Sequence, residues 1–526
     1  MGFYLNSGNE GFKRVLRSRI YVDKTGMIEY VNSVLGTNDA FLCVSRPRRF
    51  GKSMAANMLA AYYDRSCDSS ELFQGLKISE KSCFKEHLNR YDVIFLNIQQ
   101  MLSGAGSAES LSDFIQSAVL EELKEAYPDY VLEDERHLPT ALASVYARDT
   151  RPDKGFVFIL DEWDCIFREA KDDIEAQKMY LDFLKDLFKD RTYVSLAYMT
   201  GILPIKKYGS HSALNVFDEF SMTDPASLAE YVGFTEPEVR KLCIEFGKDF
   251  EEVRQWYDGY CFADELHIYN PKSVVDGMKN RKLKSFWTGT ETYEALQLYI
   301  DIDMDGLKQA LIEMLGGKSN KIDTGTFQND MTSFKTKDDI LTLLVHLGYL
   351  AYDEASRCVF IPNEEVRQEF VRAVRNGGRP ELVKAVKASD KLLAATLRME
   401  AEEVAKAIEE VHSAVTSPDF YNNEQALRSA IRFAYLSSID EFVEIQELPA
   451  GIGYADVVFI PYKHSDKPVM IVELKWNKSA EGAIKQIKEK KYSDVFQKYG
   501  CDVLLVGINY DVKNKKHTCI IERLQN

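Results

Sequence analysis

Three short stretches hold side chains whose types and spacing could do chemistry. In "SRPRRFGKSM", residues 45–54, Gly51-Lys52-Ser53 combines a turn whose backbone N–H groups can converge on phosphate oxygens, an ammonium for the β/γ-phosphates and a hydroxyl for Mg²⁺. In "FILDE", residues 158–162, an apolar run ends in two carboxylates. Asp161 is placed for a Mg²⁺ shell, and Glu162 for orienting and deprotonating an attacking water. Near the C-terminus, Asp456 in "GYADVVFI" and Glu473 and Lys475 in "VMIVELKW" supply two carboxylates and a cation, the set that metal-dependent phosphodiester cleavage needs.

These residues work only if the right elements aim them. A phosphate-binding loop needs a strand before it and a helix N-terminus behind it, and "FLCVS" followed by a helical pattern from Ser53 meets both needs. The loop departs from G-x-x-x-x-G-K-[ST], because Arg46 stands where the first Gly belongs. Arg46, Arg48 and Arg49 then add positive charge near the phosphates, with Phe50 and Met54 flanking the Gly-Lys-Ser core. Gly-Lys-Ser by itself recurs by chance, and a strand ending in two carboxylates can be a plain solvated end. Together, in this order, they predict a site for ATP with Mg²⁺, in which Ser53 and Asp161 are the metal-side ligands. Thr200, in "MTG", falls where a γ-phosphate sensor would sit, or is a strand-end turn residue. Arg191, Arg240 and Arg254 all remain open as an arginine finger, as does one from another subunit.

In the C-terminal set, Glu473 and Lys475 lie two apart on one strand and so share a face. Glu424 on the preceding helix adds a candidate metal contact beside Asp456 and Glu473, and Gln486 on the following helix reaches over the site. Lys485, Lys488, Lys490 and Lys491 run along that second helix, either as a solvated face or as phosphate contacts. The expected cofactor is Mg²⁺ or Mn²⁺. The competing reading makes Asp456, Glu473 and Lys475 a structural ion pair in a degenerate domain.

Strand-like runs alternate with helices through the first 220 residues, which predicts an α/β domain built on a parallel sheet. Boundaries are expected at 1–230 for this P-loop ATPase domain, 231–335 for a helical lid, 336–376 for a winged-helix-like module, 377–416 for a helical connector and 417–526 for a C-terminal α/β restriction-endonuclease-like domain. The tail should run helix, three strands, helix, strand. Composition is that of a globular chain, with 45% apolar and 28% charged residues, and no apolar run reaches membrane-spanning length, so a cytoplasmic protein without a membrane partner is expected. Nine cysteines scattered singly argue against a disulfide framework or a zinc site. The net charge of −16 disfavours wrapping nucleic acid by bulk electrostatics. That charge is uneven: from Phe420 onward 15 Lys and Arg stand against 14 Asp and Glu, leaving 51 against 68 before it.

The motifs "YVDKTGMI" (21–28), "SRPRRFGKSM" (45–54), "FILDEWD" (158–164), "MTGI" (199–202), "WYDGY" (256–260), "IYNP" (268–271) and "HLGYL…IPNEEVR" (346–367) resemble, in order, the bacterial AAA-ATPase-like family whose members carry a C-terminal PD-(D/E)XK nuclease-type domain. The resemblance implies an ATPase core, a helical and winged-helix-like middle and a nuclease-fold tail. It implies that Asp23 and Lys24 lie near the nucleotide pocket, with a plain N-terminal turn as the alternative. It marks Tyr257, Asp258, Tyr260 and Asn270 as residues of the fold rather than of chemistry. Two departures stand in the tail: Ala455 replaces a frequent Pro, and Tyr454 stands where the family carries an Arg. The function expected is an ATPase coupled to a metal-dependent nuclease acting on nucleic acid, DNA ranking ahead of RNA. The alternative is an ATP-controlled switch whose nuclease-fold tail binds without cutting. Assembly into a homo-oligomer stays open.

Overall fold

The computed structural model describes residues 2–130, 136–205, 214–262, 266–287, 293–302, 304–329, 331–332, 334–376, 380–415, 424–450, 453–461, 465–493, 496 and 502–524. The chain divides into two compact units, and each is discontinuous in sequence. One comprises Met1–Phe286 and Lys321–Asn363, the other Trp287–Asn320 and Glu364–Asn526.

The first unit is built on five parallel strands: β1 (Phe41–Ser45), β2 (Asp92–Asn97), β3 (Phe156–Asp161), β4 (Val194–Gly201) and β5 (Asp218–Phe220), in the order β2-β3-β4-β1-β5. Each lies within two residues of the run expected from sequence. Their near-continuous apolar character follows from coverage on both faces. Phe158, Ile159 and Leu160 are fully buried, and each such side chain contributes about 2 kcal/mol. The loop after β1 runs into the Ala-rich helix α1 (Lys52–Tyr63). Thr235 and Glu238, which read in sequence as a helix start, form a capping box on the helix Glu236–Phe246, whereas Asp224 and Pro225, which also read as one, lead only into a short 3₁₀ turn, Ala226–Leu228. The turn-rich stretch around "WYDGYCF" also contributes strands Tyr260–Phe262 and Leu266–Tyr269, which pair with Phe234–Thr235 in a small antiparallel sheet. The helix Lys337–Leu347 closes at Gly348 and leads into a hairpin, Ala351–Asp353 with Cys358–Phe360. The next helix, α2 (Glu364–Asn376), belongs to the second unit.

The second unit holds the helix α3 (Glu424–Ala434), strands β6 (Phe442–Ala450), β7 (Gly453–Pro461) and β8 (Val469–Trp476), the helix α4 (Ala480–Glu489), and strands β9 (Val503–Asp511) and β10 (Lys516–Leu524). The sheet runs β6-β7-β8-β9-β10, antiparallel except for the parallel β8–β9 pair that α4 connects. Two expectations change here. A fifth strand, β10, extends the sheet, its apolar "TCII" having been masked by flanking lysines. The helix expected over 479–498 stops at Glu489, so Lys485 and Lys488 are helical while Lys490 and Lys491 lie in the turn beyond it. Lys488 pairs with Glu522 at 2.5 Å and Lys485 with Glu489 at 3.6 Å, so half of the expected lysine face is engaged within the chain.

Candidate functional site

The N-terminal site is assembled at the ends of β1, β2, β3 and β4. Gly51 takes φ +97°, a left-handed conformation that lets the chain turn directly into α1. The Lys52 ammonium donates to the carbonyls of Arg46 at 2.8 Å and Pro47 at 2.9 Å, which folds the loop around it. Burial pushes Lys52 down to about 8, against the pull of Glu162, Asp164 and Asp161. Asp161 is buried. It accepts a hydrogen bond from the Thr200 hydroxyl at 2.6 Å and one from the Asn97 amide at 3.4 Å. The register that sets Asn97 beside Asp161 and Asp161 beside Thr200 creates this row across three strands.

Ser53 and Asp161 line one cavity of about 400 Å³, together with Asn97, Gln100, Asn57 and the N-terminal segment around Tyr4 and Gly8. Hydroxyl and carboxylate oxygens opening into one space suit a hard divalent cation such as Mg²⁺. Glu162 stands at φ +59°, its carboxylate paired with the buried guanidinium of Arg168, which also reaches Asp164 at 3.3 Å. Asp164 in turn accepts from the backbone N–H groups of Ile202 and Leu203 at 3.0 and 2.9 Å. Sequence reading passed over Asn97, Asp164 and Arg168. The only signals were Asp164 closing "LDEWD" and Arg168 one helical turn beyond it.

The other loop residues divide. Arg46 turns into the interior, donating to the carbonyls of Ser45 at 2.9 Å and Phe220 at 2.8 Å, with its guanidinium 5.2 Å from the centre of the Phe262 ring. Phe50 is buried against Tyr260, while Arg48, Arg49 and Met54 are exposed. Arg191 holds Asp186, Arg240 pairs with Glu236 at 2.7 Å over the Phe250 ring, and Arg254 pairs with Asp258 at 3.5 Å. Asp23 accepts from the backbone of Thr25 and Lys77, and Lys24 binds the Glu230 carbonyl and Glu238, so both tie an N-terminal turn to its neighbours. Asn270 caps the helix Pro271–Lys279, and the hydroxyls of Tyr257 and Tyr260 donate to the carbonyls of Lys284 and Gly348. Asp258 receives His267 at 2.9 Å.

The C-terminal site gathers at the ends of β7 and β8. Val457 pairs with Val472, which sets Asp456 level with Glu473. The Leu474 backbone N–H donates to Asp456 Oδ2 at 2.9 Å. Lys475 Nζ donates to Glu473 Oε1 at 3.0 Å and to Gln486 Oε1 at 2.6 Å, and Gln486 Nε2 closes the triangle on Glu473. Gly507 makes this reach possible. A Cβ there would lie 2.6 Å from the Ala480 carbonyl, so its absence lets α4 lie close to β9.

Burial pushes the Glu473 carboxyl up to about 7, with the charge of Asp456 adding to the rise and Lys475 opposing it. Glu473 Oε2 is buried without a hydrogen-bond partner, an acceptor that a divalent cation would satisfy. Glu424 is the first residue of α3, and its side chain, like that of Tyr454, lies outside the described residues. Arg428, which sequence reading missed, donates from Nη2 to Asp456 Oδ1 at 2.7 Å. Its only sequence signal is a place one turn along α3 from Glu424.

Residues 8–210 match the family model AAA-ATPase_like, described as Predicted AAA-ATPase, and residues 422–519 match that of the PD-(D/E)XK nuclease superfamily. A relative 22% identical over 518 residues, covering 93% of this chain and 92% of its own length, is an uncharacterized protein in the vnfD 5′ region of Azotobacter chroococcum mcd 1. Among solved structures, the Aeropyrum pernix ORC1 protein in complex with DNA is similar at 12% identity and a TM-score of 0.24, over 69% of this chain and 93% of that one. No helix among the described residues is long and apolar enough to cross a membrane. The chain therefore joins an AAA-ATPase-like domain, residues 8–210, to a C-terminal PD-(D/E)XK nuclease superfamily domain, residues 422–519.

Proposed function

We propose that this protein binds and hydrolyses ATP at the Lys52 site and uses that cycle to control metal-dependent phosphodiester cleavage of nucleic acid at the Asp456–Glu473–Lys475 site. The observation that carries the reading is the convergence of Asp456, Glu473, Lys475 and Gln486 around the buried, unpartnered Glu473 Oε2. A self-contained ion pair would have satisfied that oxygen.

In the first site, Lys52 and the loop N–H groups would hold the phosphates and Ser53 and Asp161 would hold Mg²⁺, with Thr200 orienting Asp161. Glu162 accepts the proton of the attacking water once it leaves Arg168. In the second, Asp456 and Glu473 would hold Mg²⁺ or Mn²⁺. A bound cation there would supply positive charge to the scissile phosphate and to the nucleophile. Lys475, fixed by Gln486, presents its ammonium to the attacking oxygen and stabilises the negative charge that develops there. The balance of charge among Arg428, Asp456, Glu473 and Lys475 supports a second reading, a nuclease fold that binds without cutting.

The test is cleavage of single- and double-stranded DNA and RNA by the full chain with Mg²⁺ or Mn²⁺, with and without ATP, beside Lys52→Ala and Glu473→Ala. The expected result is metal-dependent cutting that Glu473→Ala abolishes and that Lys52→Ala uncouples from ATP. Hydrolysis of ATP without cutting of any substrate would overturn the nuclease reading in favour of the second one.

A further inference from the structure

The arginine on Asp456 has chemistry of its own. Arg428 lies on α3, and Arg432, one turn further along the same face, donates to Glu444. Glu444 also pairs with Arg367 of α2 at 3.1 Å, and Arg367 reaches Glu364 at 3.5 Å. This network of mostly buried charges holds α3 in place, because shifting the helix would pull the Arg432 guanidinium away from the buried Glu444 carboxylate. Arg428 is thus a side chain on a held stem, and that side chain is 26% exposed beside the site.

Both oxygens of Asp456 are occupied, Oδ2 by the Leu474 N–H and Oδ1 by Arg428. A divalent cation held by Asp456 and Glu473 would find Glu473 Oε2 without a hydrogen-bond partner, but at Asp456 it would meet a guanidinium. That group cannot become neutral by losing its proton, so repulsion between the two cations favours its swinging away. Its tether keeps it at the rim of the same site. There a planar, five-donor cation is suited to gripping phosphate oxygens through two parallel hydrogen bonds.

We infer that Arg428 is a substrate-positioning residue with two seats: on Asp456 when no cation is present, and on the phosphate backbone of the nucleic acid once a divalent cation has taken Asp456. The inference rests on the nuclease-type reading of this site and adds to it a residue that ties phosphate grip to metal loading. In its cation-free seat Arg428 lowers metal affinity, and in its second seat it raises substrate affinity. A merely structural ion pair does not do the second.

The experiment uses the full chain as wild type, Arg428→Gln, Arg428→Lys and Glu473→Gln. Mn²⁺ uptake is measured by titration calorimetry without nucleotide or nucleic acid, and kcat and KM are measured on a labelled oligonucleotide at saturating Mn²⁺. Arg428→Gln should bind Mn²⁺ at the Glu473-dependent site about fivefold more tightly, as expected for removing one partly exposed competing ion pair. Its KM should rise about tenfold with kcat nearly unchanged, the pattern of lost uniform binding. Arg428→Lys, which keeps the charge and carries the test if the Gln variant fails to fold, should fall between wild type and Gln on both scales.

Unchanged or weaker Mn²⁺ binding with unchanged KM in both Arg428 variants, while Glu473→Gln loses metal and cleavage, would overturn this role and leave the nuclease reading standing. Absence of Glu473-dependent Mn²⁺ uptake in wild type and both Arg428 variants would remove the metal site itself, and this role with it.

Discussion

At the scale of single residues, environment sets when each group can act. Burial pushes Lys52 down to about 8, yet nucleotide phosphates need its ammonium form. ATP affinity, read by calorimetry, should therefore be flat below pH 8 and fall above it, and Lys52→Ala should bind weakly at every pH. Glu473 shows the opposite sign. Its carboxyl is pushed up to about 7 by burial, so in the metal-free protein a proton competes with the cation below that pH. Mn²⁺ affinity should climb about tenfold per pH unit up to about 7 and then level off. The same raised value means that Glu473 stabilises the metal-free fold most below its unfolded value near 4.5 and that this contribution is lost as pH rises through about 7. Glu473→Gln should lose the Mn²⁺ uptake and flatten the stability profile, and a stability profile that keeps its slope in that variant would assign the titration to another group.

At the scale of elements, close approach sets reach. α4 carries Gln486 over Glu473 because Gly507 on β9 leaves room for the Ala480 carbonyl. Gly507→Ala forces that helix outward and should cost about 1–3 kcal/mol, the range for overpacking a close-packed contact. Chemical denaturation would measure that loss, and cleavage should fall further than stability does, since Lys475 loses its Gln486 acceptor. In the first unit the corresponding device is the row Asn97–Asp161–Thr200, held level by parallel register across β2, β3 and β4. Arg168 adds a second constraint, holding both Glu162 and Asp164 from a short helix that follows β3.

At the scale of the whole molecule, the chain passes between its two compact units three times, at residues 286/287, 320/321 and 363/364. The two sites lie in different units, each with its own sheet and core. Ligands that bind the native state stabilise what they bind, so scanning calorimetry should show ATP with Mg²⁺ raising one unfolding transition and Mn²⁺ alone raising another. Lys52→Ala should abolish only the first shift and Glu473→Ala only the second. A single transition moved equally by both ligands would show that the units unfold as one.

The sequence by itself determined the chemistry-bearing short motifs and the elements beside them. A strand aims Gly51-Lys52-Ser53, a strand presents Asp161 and Glu162, and an i, i+2 spacing puts Glu473 and Lys475 on one face, all relations a few residues long. The α/β character and four of the five strands of the C-terminal sheet were legible for the same reason, since apolar periodicity is local. β10 was hidden because its lysine flanks weaken that periodicity, and the end of α4 was missed because nothing breaks its polar pattern at Glu489. Tertiary structure alone decided which distant residues meet. It seated Arg46 on the Phe220 carbonyl, Asn97 and Thr200 on Asp161, and Arg428 on Asp456. Partners 28 to 174 positions apart, as in the Arg428–Asp456 and Arg46–Phe220 pairs, leave no periodic trace in the chain, because what joins them is sheet order and the burial of charge rather than local spacing.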